Sequence, residues 1–192
     1  FSRVLAGHPR IQAISMDGWH YPNEVLRARQ IRDETGQTVP LVSRKGSPKS
    51  FDIKALRTTL RQLVIDAETI RVPVYDRRLH EAVADAVPVD APLVLAEGNY
   101  LLMGGPEWEP IGQIAEAGIW LEVPLDMARR RILERHKRLG RSEQKSLAKW
   151  SENDWPNSLA ALRGRRYADA VIQVDHRGRM SFVQRLQVHI SD

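Results

Sequence analysis

Cysteine is missing from all 192 residues. That absence excludes a disulfide framework and thiolate metal sites, and it makes a reducing cytoplasm the default setting. No apolar run approaches the ~18 residues a membrane span requires. Nor does any segment join a basic start to an apolar middle, as a signal peptide does. Internal repeats, low-complexity tracts and linker-like stretches are also absent, so residues 1–192 are expected to form one domain. Aromatic residues are sparse at 6%. The five tryptophans read as packing residues, with Trp19 beside Asp17 as the exception. RRM, KH and zinc patterns are lacking, which argues against a nucleic-acid partner.

What the chain does carry is positive charge. The formal net charge is +5 and the pI about 9.8, a balance that suits an anionic partner such as a nucleotide or phosphorylated metabolite. Arg129, Arg130, Arg131, Arg135, His136, Lys137, Arg138 and Arg141 crowd one segment, and Arg163, Arg165 and Arg166 follow. A solvated helix face is the plain alternative.

Short apolar runs without strict alternation read as buried strands: Ile11 to Asp17, Val72 to Tyr75, Pro92 to Glu97, Gly118 to Val123 and Asp169 to Val174. Between them lie helical patterns. Ile53 to Val64 has its apolar residues at Ile53, Leu56, Leu60, Leu63 and Val64, near the 3.6-residue period, and Ser50 or Asp52 is placed to cap it. Leu125 to Lys137, Ser142 to Trp150 and Pro156 to Leu162 also read as helices. Alternating buried strands and helices predict a doubly wound parallel α/β sheet, whose ligands bind beyond the carboxyl ends of the strands. The runs end in Asp17, in Asp76 and in Glu97 followed by Gly98, Asn99 and Tyr100. Each acid alone suits a turn or helix cap. Together they predict a rim of carboxylates for proton transfer or a divalent metal, both of which serve phosphoryl transfer. The stretch Arg27 to Ser43 reads as a mobile insertion on the acceptor side.

Several segments carry a family resemblance. "MDGWHYPN", "RKGSPKSFD", "VPVYDR", "VLAEGNYLL", "RRRILERHKRLGR", "NDWPN" and "ADAVIQV" resemble, in family order, the P-loop small-molecule kinases of the uridine kinase, pantothenate kinase and phosphoribulokinase group. The nearest likeness is to bacterial nucleoside or fructose-transport-system kinases. The resemblance implies a cytoplasmic transferase using ATP and Mg²⁺ on a small hydroxyl-bearing acceptor such as a nucleoside, fructose or a pantothenate-like molecule. It implies Asp17 as catalytic base and Glu97 on the magnesium side. His20, Arg44, Lys45, Asp52, Tyr75, Asn99 and Tyr100 are implied for the acceptor, although His20 also suits a core or surface position and Asp52 a helix cap. An arginine lid near residues 126–150 is implied, with Arg131 and Arg135 as catalytic and, together with Arg141, as nucleotide-binding candidates. Arg131 and Arg135 are one helical turn apart, whereas Arg141 follows Gly140 and is expected beyond the helix end. Oligomeric state is left open.

The phosphate-cradling G-x-x-x-x-G-K-[ST] motif is not found in the 192 residues. Gly7 is the single glycine before Asp17, and "FSRVLAG" resembles the tail of the helix that follows such a loop. The expectation is an α/β P-loop kinase fold without its first strand and loop, in a chain that begins inside the first helix of a longer kinase. A catalytically silent ligand-binding module on the same fold is the alternative.

Overall fold

The computed structural model describes residues 11–33, 35–65 and 68–185. The helix tail expected at Phe1 to Gly7 lies outside the described residues. The chain forms two compact units, residues 1–101 and 102–192.

In the first unit the strands are β1 (Ile11–Ser15), β2 (Gln30–Arg32), β3 (Thr38–Pro40), β4 (Ile70–Asp76), β5 (Glu81–Val89) and β6 (Leu93–Glu97), with helices α1 (Asn23–Ala28) and α2 (Ile53–Ile65). The expected parallel pairing is found between β1 and β6, in a register that sets Ser15 opposite Glu97. The strand expected at Val72 to Tyr75 differs. β4 pairs antiparallel with β5 as the two arms of a hairpin, because Arg77 to His80 turn the chain straight back instead of opening a crossover. The stretch expected as a mobile insertion holds the antiparallel ribbon of β2 and β3. Asp33 fastens that ribbon, its Oδ1 accepting from the backbone of Thr35 and Gln37 and from the Thr35 hydroxyl.

Helix α2 starts where Asp52 accepts from the Ala55 amide at 2.9 Å, satisfying one of the unpaired first-turn donors. Its apolar stripe is only partly covered: Leu56 is buried whereas Val64 is 67% exposed. Ile14, Met16, Trp19, Leu26, Leu41, Phe51, Val72, Val89 and Tyr100 complete the buried set of this unit, each fully buried large side chain contributing about 1.5–3 kcal/mol. Trp19 is therefore a packing residue like most of the other tryptophans.

In the second unit, strands β7 (Ile119–Glu122) and β8 (Ala170–Val174) pair in parallel, and β9 (Met180–Arg185), which no sequence pattern announced, adds antiparallel to β8. Its helices are α3 (Glu109–Gly112), α4 (Leu125–Arg138), α5 (Glu143–Lys149) and α6 (Trp155–Leu162), with a π-helical turn over Trp150–Asp154. Trp108, Ile111, Met127, Trp150, Val171 and Val174 are buried. Among the described residues no helix is long and apolar enough to cross a membrane.

Candidate active site

At the carboxyl end of β1 the chain winds into a 3-10 turn, Met16–Trp19, in which Met16, Gly18 and Trp19 are buried. Gly18 is required there: a Cβ would strike the Pro73 carbonyl of β4. Asp17 is the outward residue of the turn, its side chain 43% exposed and its amide donating to Ser15 Oγ. The Asp17 carbonyl accepts from the His20 amide at 3.2 Å and lies 2.9 Å from His20 Nδ1. A carbonyl only accepts, so Nδ1 carries the proton and Nε2 holds the lone pair of the neutral ring. Burial pushes the His20 pKa below 6.5, against the opposing pull of Asp17. The ring packs 4.0 Å from Phe51 and 5.2 Å from Tyr75.

The loop that carries Arg44 and Lys45 is stitched to this turn. Tyr21 donates to the Ser50 carbonyl and Asp52 to the Trp19 carbonyl. Gly46 adopts φ +94°, a conformation open to glycine. Its amide donates to Ser50 Oγ, and its carbonyl accepts from the Tyr100 hydroxyl at 2.7 Å. Lys45 reaches over the Tyr75 ring, Nζ 5.0 Å from the centroid, within cation–π range. One patch of the first unit thus holds Asp17, His20, Lys45, Phe51 and Tyr75.

Other expected residues are placed differently. Arg44 turns to Asp33, Nη2 to Oδ2 3.1 Å, and its Nε is buried without a hydrogen-bond partner among the described residues. Asp33 is correspondingly held below the usual carboxylate range, first by the Thr35 hydroxyl. The pair locks the ribbon to the loop, so Arg44 is a bracing residue here. Asp76 takes the turn-capping role that its position also suits: its Oδ1 accepts from the amides of Arg78 and Leu79. Tyr100 is fully buried and supports the patch from behind, through the Gly46 carbonyl and the Phe51 ring. Asp52 caps α2. Glu97 and Asn99 are exposed, Glu97 at the same end of the parallel pair as Asp17.

Three participants escaped the sequence reading. Asn23 belongs to the "HYPN" stretch and accepts from Lys45 Nζ at 2.6 Å. The His80 carbonyl accepts from the same ammonium at 2.6 Å, and the Glu81 carboxylate accepts from the Asn23 amide. The asparagine next to Pro22 was a visible turn signal. The positive φ of His80, 53°, has no sequence signature.

In the second unit, α4 buries Met127 and His136 and leaves Arg131 and Arg135 exposed. It closes with Gly140 at φ +77°; the Arg141 amide donates to the His136 carbonyl and the Gly140 amide to that of Lys137. This is a Schellman cap, and it puts Arg141 past the helix end, as expected. Arg141, Ser142 and Lys145 line an open notch of about 390 Å³ with Leu139 and Gly140. His136 Nε2 lies 3.3 Å from Asp154 Oδ2, joining α4 to the π-helical turn.

The donor set bears on the implied metal. Among the described residues no three His, Asp or Glu side chains cluster as a metal cage. An exposed lone carboxylate such as Glu97 suits magnesium, which keeps most of its water and arrives bound to phosphates. Exposed guanidiniums on one helix face likewise suit the phosphates of a nucleotide.

No family model matches the chain. Over 174 residues it is 34% identical to the uncharacterized protein YggC of Escherichia coli (strain K12), covering 91% of this chain and 68% of YggC. It is 31% identical over 149 residues to a pantothenate kinase of Parvibaculum lavamentivorans, covering 73% of this chain and 43% of that enzyme, so it spans less than half of that enzyme's length. The crystal structure of a protein named for the fructose transport system kinases, from Silicibacter sp. TM1040, superposes with a TM-score of 0.72 at 28% identity, over 84% of this chain and 74% of that one. Its fold is of the α/β class that the alternating strands and helices predict, and of the kinase type that the resemblance implies. The chain belongs to the P-loop small-molecule kinases of the uridine kinase, pantothenate kinase and phosphoribulokinase group, in the family that includes YggC.

Proposed function

We propose that the protein transfers the γ-phosphate of ATP to a hydroxyl of a small metabolite, a nucleoside, a sugar such as fructose or a pantothenate-like molecule. The observation that carries this reading is the outward carboxylate of Asp17. It stands on a buried turn at the end of a parallel strand pair, beside the His20 imidazole, which packs on the Phe51 and Tyr75 rings, the latter overlain by the Lys45 ammonium. Asp17 orients the acceptor hydroxyl and takes its proton as the oxygen–phosphorus bond forms. His20, Lys45 and Tyr75 line the acceptor, Asp52 and Asn99 lie at its margin, and Arg44, Tyr100 and the Gly46 loop hold that wall in place. Arg131, Arg135 and Arg141 bind nucleotide phosphates, and Glu97 meets the hydrated magnesium. Bound magnesium nucleotide supplies the phosphoryl group and offsets its charge.

The test uses the full-length protein with ATP, magnesium and a panel of fructose, uridine and pantothenate, reading ADP release. The Asp17→Asn variant is expected to lose about 10²–10⁴-fold in kcat, the range for a displaced general base, with its melting temperature kept because the side chain is half-exposed. Full turnover in that variant would remove Asp17 from the chemistry.

A further inference from the structure

We infer that Asn23 is the positioning residue for the Lys45 ammonium, an inference that rests on the acceptor-side reading of Lys45. Three separate segments meet at the Asn23 side chain. Its Oδ1 accepts from Lys45 Nζ at 2.6 Å, and its Nδ2 donates to the His80 carbonyl at 3.0 Å. That carbonyl also accepts from Lys45 Nζ at 2.6 Å. A lysine ammonium only donates and a carbonyl only accepts, so just one orientation of the amide serves both neighbours. The two lone pairs of the peptide oxygen accommodate both donors.

The bases of this triangle are themselves tied together. Pro22 precedes α1 without a capping side chain, and the Glu81 carboxylate takes the Asn23 amide at 2.9 and 3.2 Å in its place. His80 holds φ +53°, a conformation unfavourable for a residue with a Cβ, and it is this residue whose carbonyl receives both bonds. A long side chain that otherwise samples many rotamers is thereby set 5.0 Å from the Tyr75 ring centroid. The Asn23 and His80 oxygens are neutral acceptors that fix the position of the ammonium. The ammonium is then preorganised for a carboxylate or hydroxyl of the acceptor.

Lysine-selective ¹⁵N NMR of the full-length protein tests this, with the Lys45 ammonium signal assigned by its loss in Lys45→Arg. Asn23→Ala, and Asn23→Met which keeps bulk but lacks the acceptor oxygen, are expected to speed proton exchange at Lys45 about tenfold. Asn23→Asp is expected to retain slow exchange, because a carboxylate still accepts from the ammonium. His80→Ala should also retain it, because the peptide carbonyl survives. Unchanged exchange in both Asn23→Ala and Asn23→Met overturns the inference. So does a His80→Ala loss as large as theirs, which would make the imidazole the holder. ADP-release assays with fructose, uridine and pantothenate separate the inference from its premise. A raised acceptor KM with kcat kept supports both. Faster exchange with an unchanged KM leaves the clamp standing and sinks the acceptor-side reading of Lys45.

Discussion

From a side chain with no exposed surface, the Tyr100 hydroxyl donates to the Gly46 carbonyl at 2.7 Å. Removing that hydroxyl leaves the carbonyl without its donor while the aromatic packing against Phe51 persists. Tyr100→Phe is therefore expected to cost about 1–2 kcal/mol of stability, measured as a shift in the urea midpoint at constant slope. A midpoint equal to wild type would mean that the loop keeps its shape without this bond. Such double roles explain what single residues revealed in advance. Asp52 was legible as a cap because Ser-Phe-Asp stands directly before a helical period. The same local logic holds for Asp76, whose Oδ1 accepts from its own turn amides. Burial of Tyr100 and the pairing of Arg44 with Asp33 depend on tertiary neighbours that no local pattern encodes.

At the scale of elements, α4 exposes its arginines while burying a histidine at one end. His136 is 3% exposed, and burial lowers its pKa from 6.5. Asp154 pulls the other way, while Arg141, Lys149 and Arg135 reinforce the lowering. The unfolded chain therefore binds more protons than the folded one between the lowered value and about 6.5, so stability rises with pH across that window and falls on acidification. His20 shifts in the same direction and adds to the slope. Melting curves between about pH 7.5 and 5.5 should show wild type losing stability as pH drops below 6.5. His136→Gln should lose less over the same interval. Identical pH slopes for the two proteins would refute the burial account. The helix itself was readable to within a residue, Leu125 to Lys137 against Leu125–Arg138, since a charged period and a terminal Gly140 are local signals. The π-helical turn and the pairing of His136 with Asp154 were not, because an i to i+5 bond leaves no period in the sequence.

For the molecule as a whole, the parallel pairs β1–β6 and β7–β8 follow from apolar runs flanked by helices. The antiparallel arms β5 and β9 were invisible because the residues of β5 alternate weakly and, in β9, Met180 to Val183 stay exposed. On the proposed function, and with no cluster of three acidic or imidazole side chains among the described residues, magnesium is expected to enter with the nucleotide, held chiefly by phosphates and water. A metal that binds only in that way stabilises the protein only when the nucleotide is present. Excess EDTA should therefore take the ADP-release rate of the full-length protein to background while leaving its nucleotide-free melting temperature unchanged. Adding ATP should raise that temperature more with magnesium than without it. A fall of several degrees in the nucleotide-free protein on adding EDTA would reveal a structural metal and break the link between this donor set and a nucleotide-borne ion.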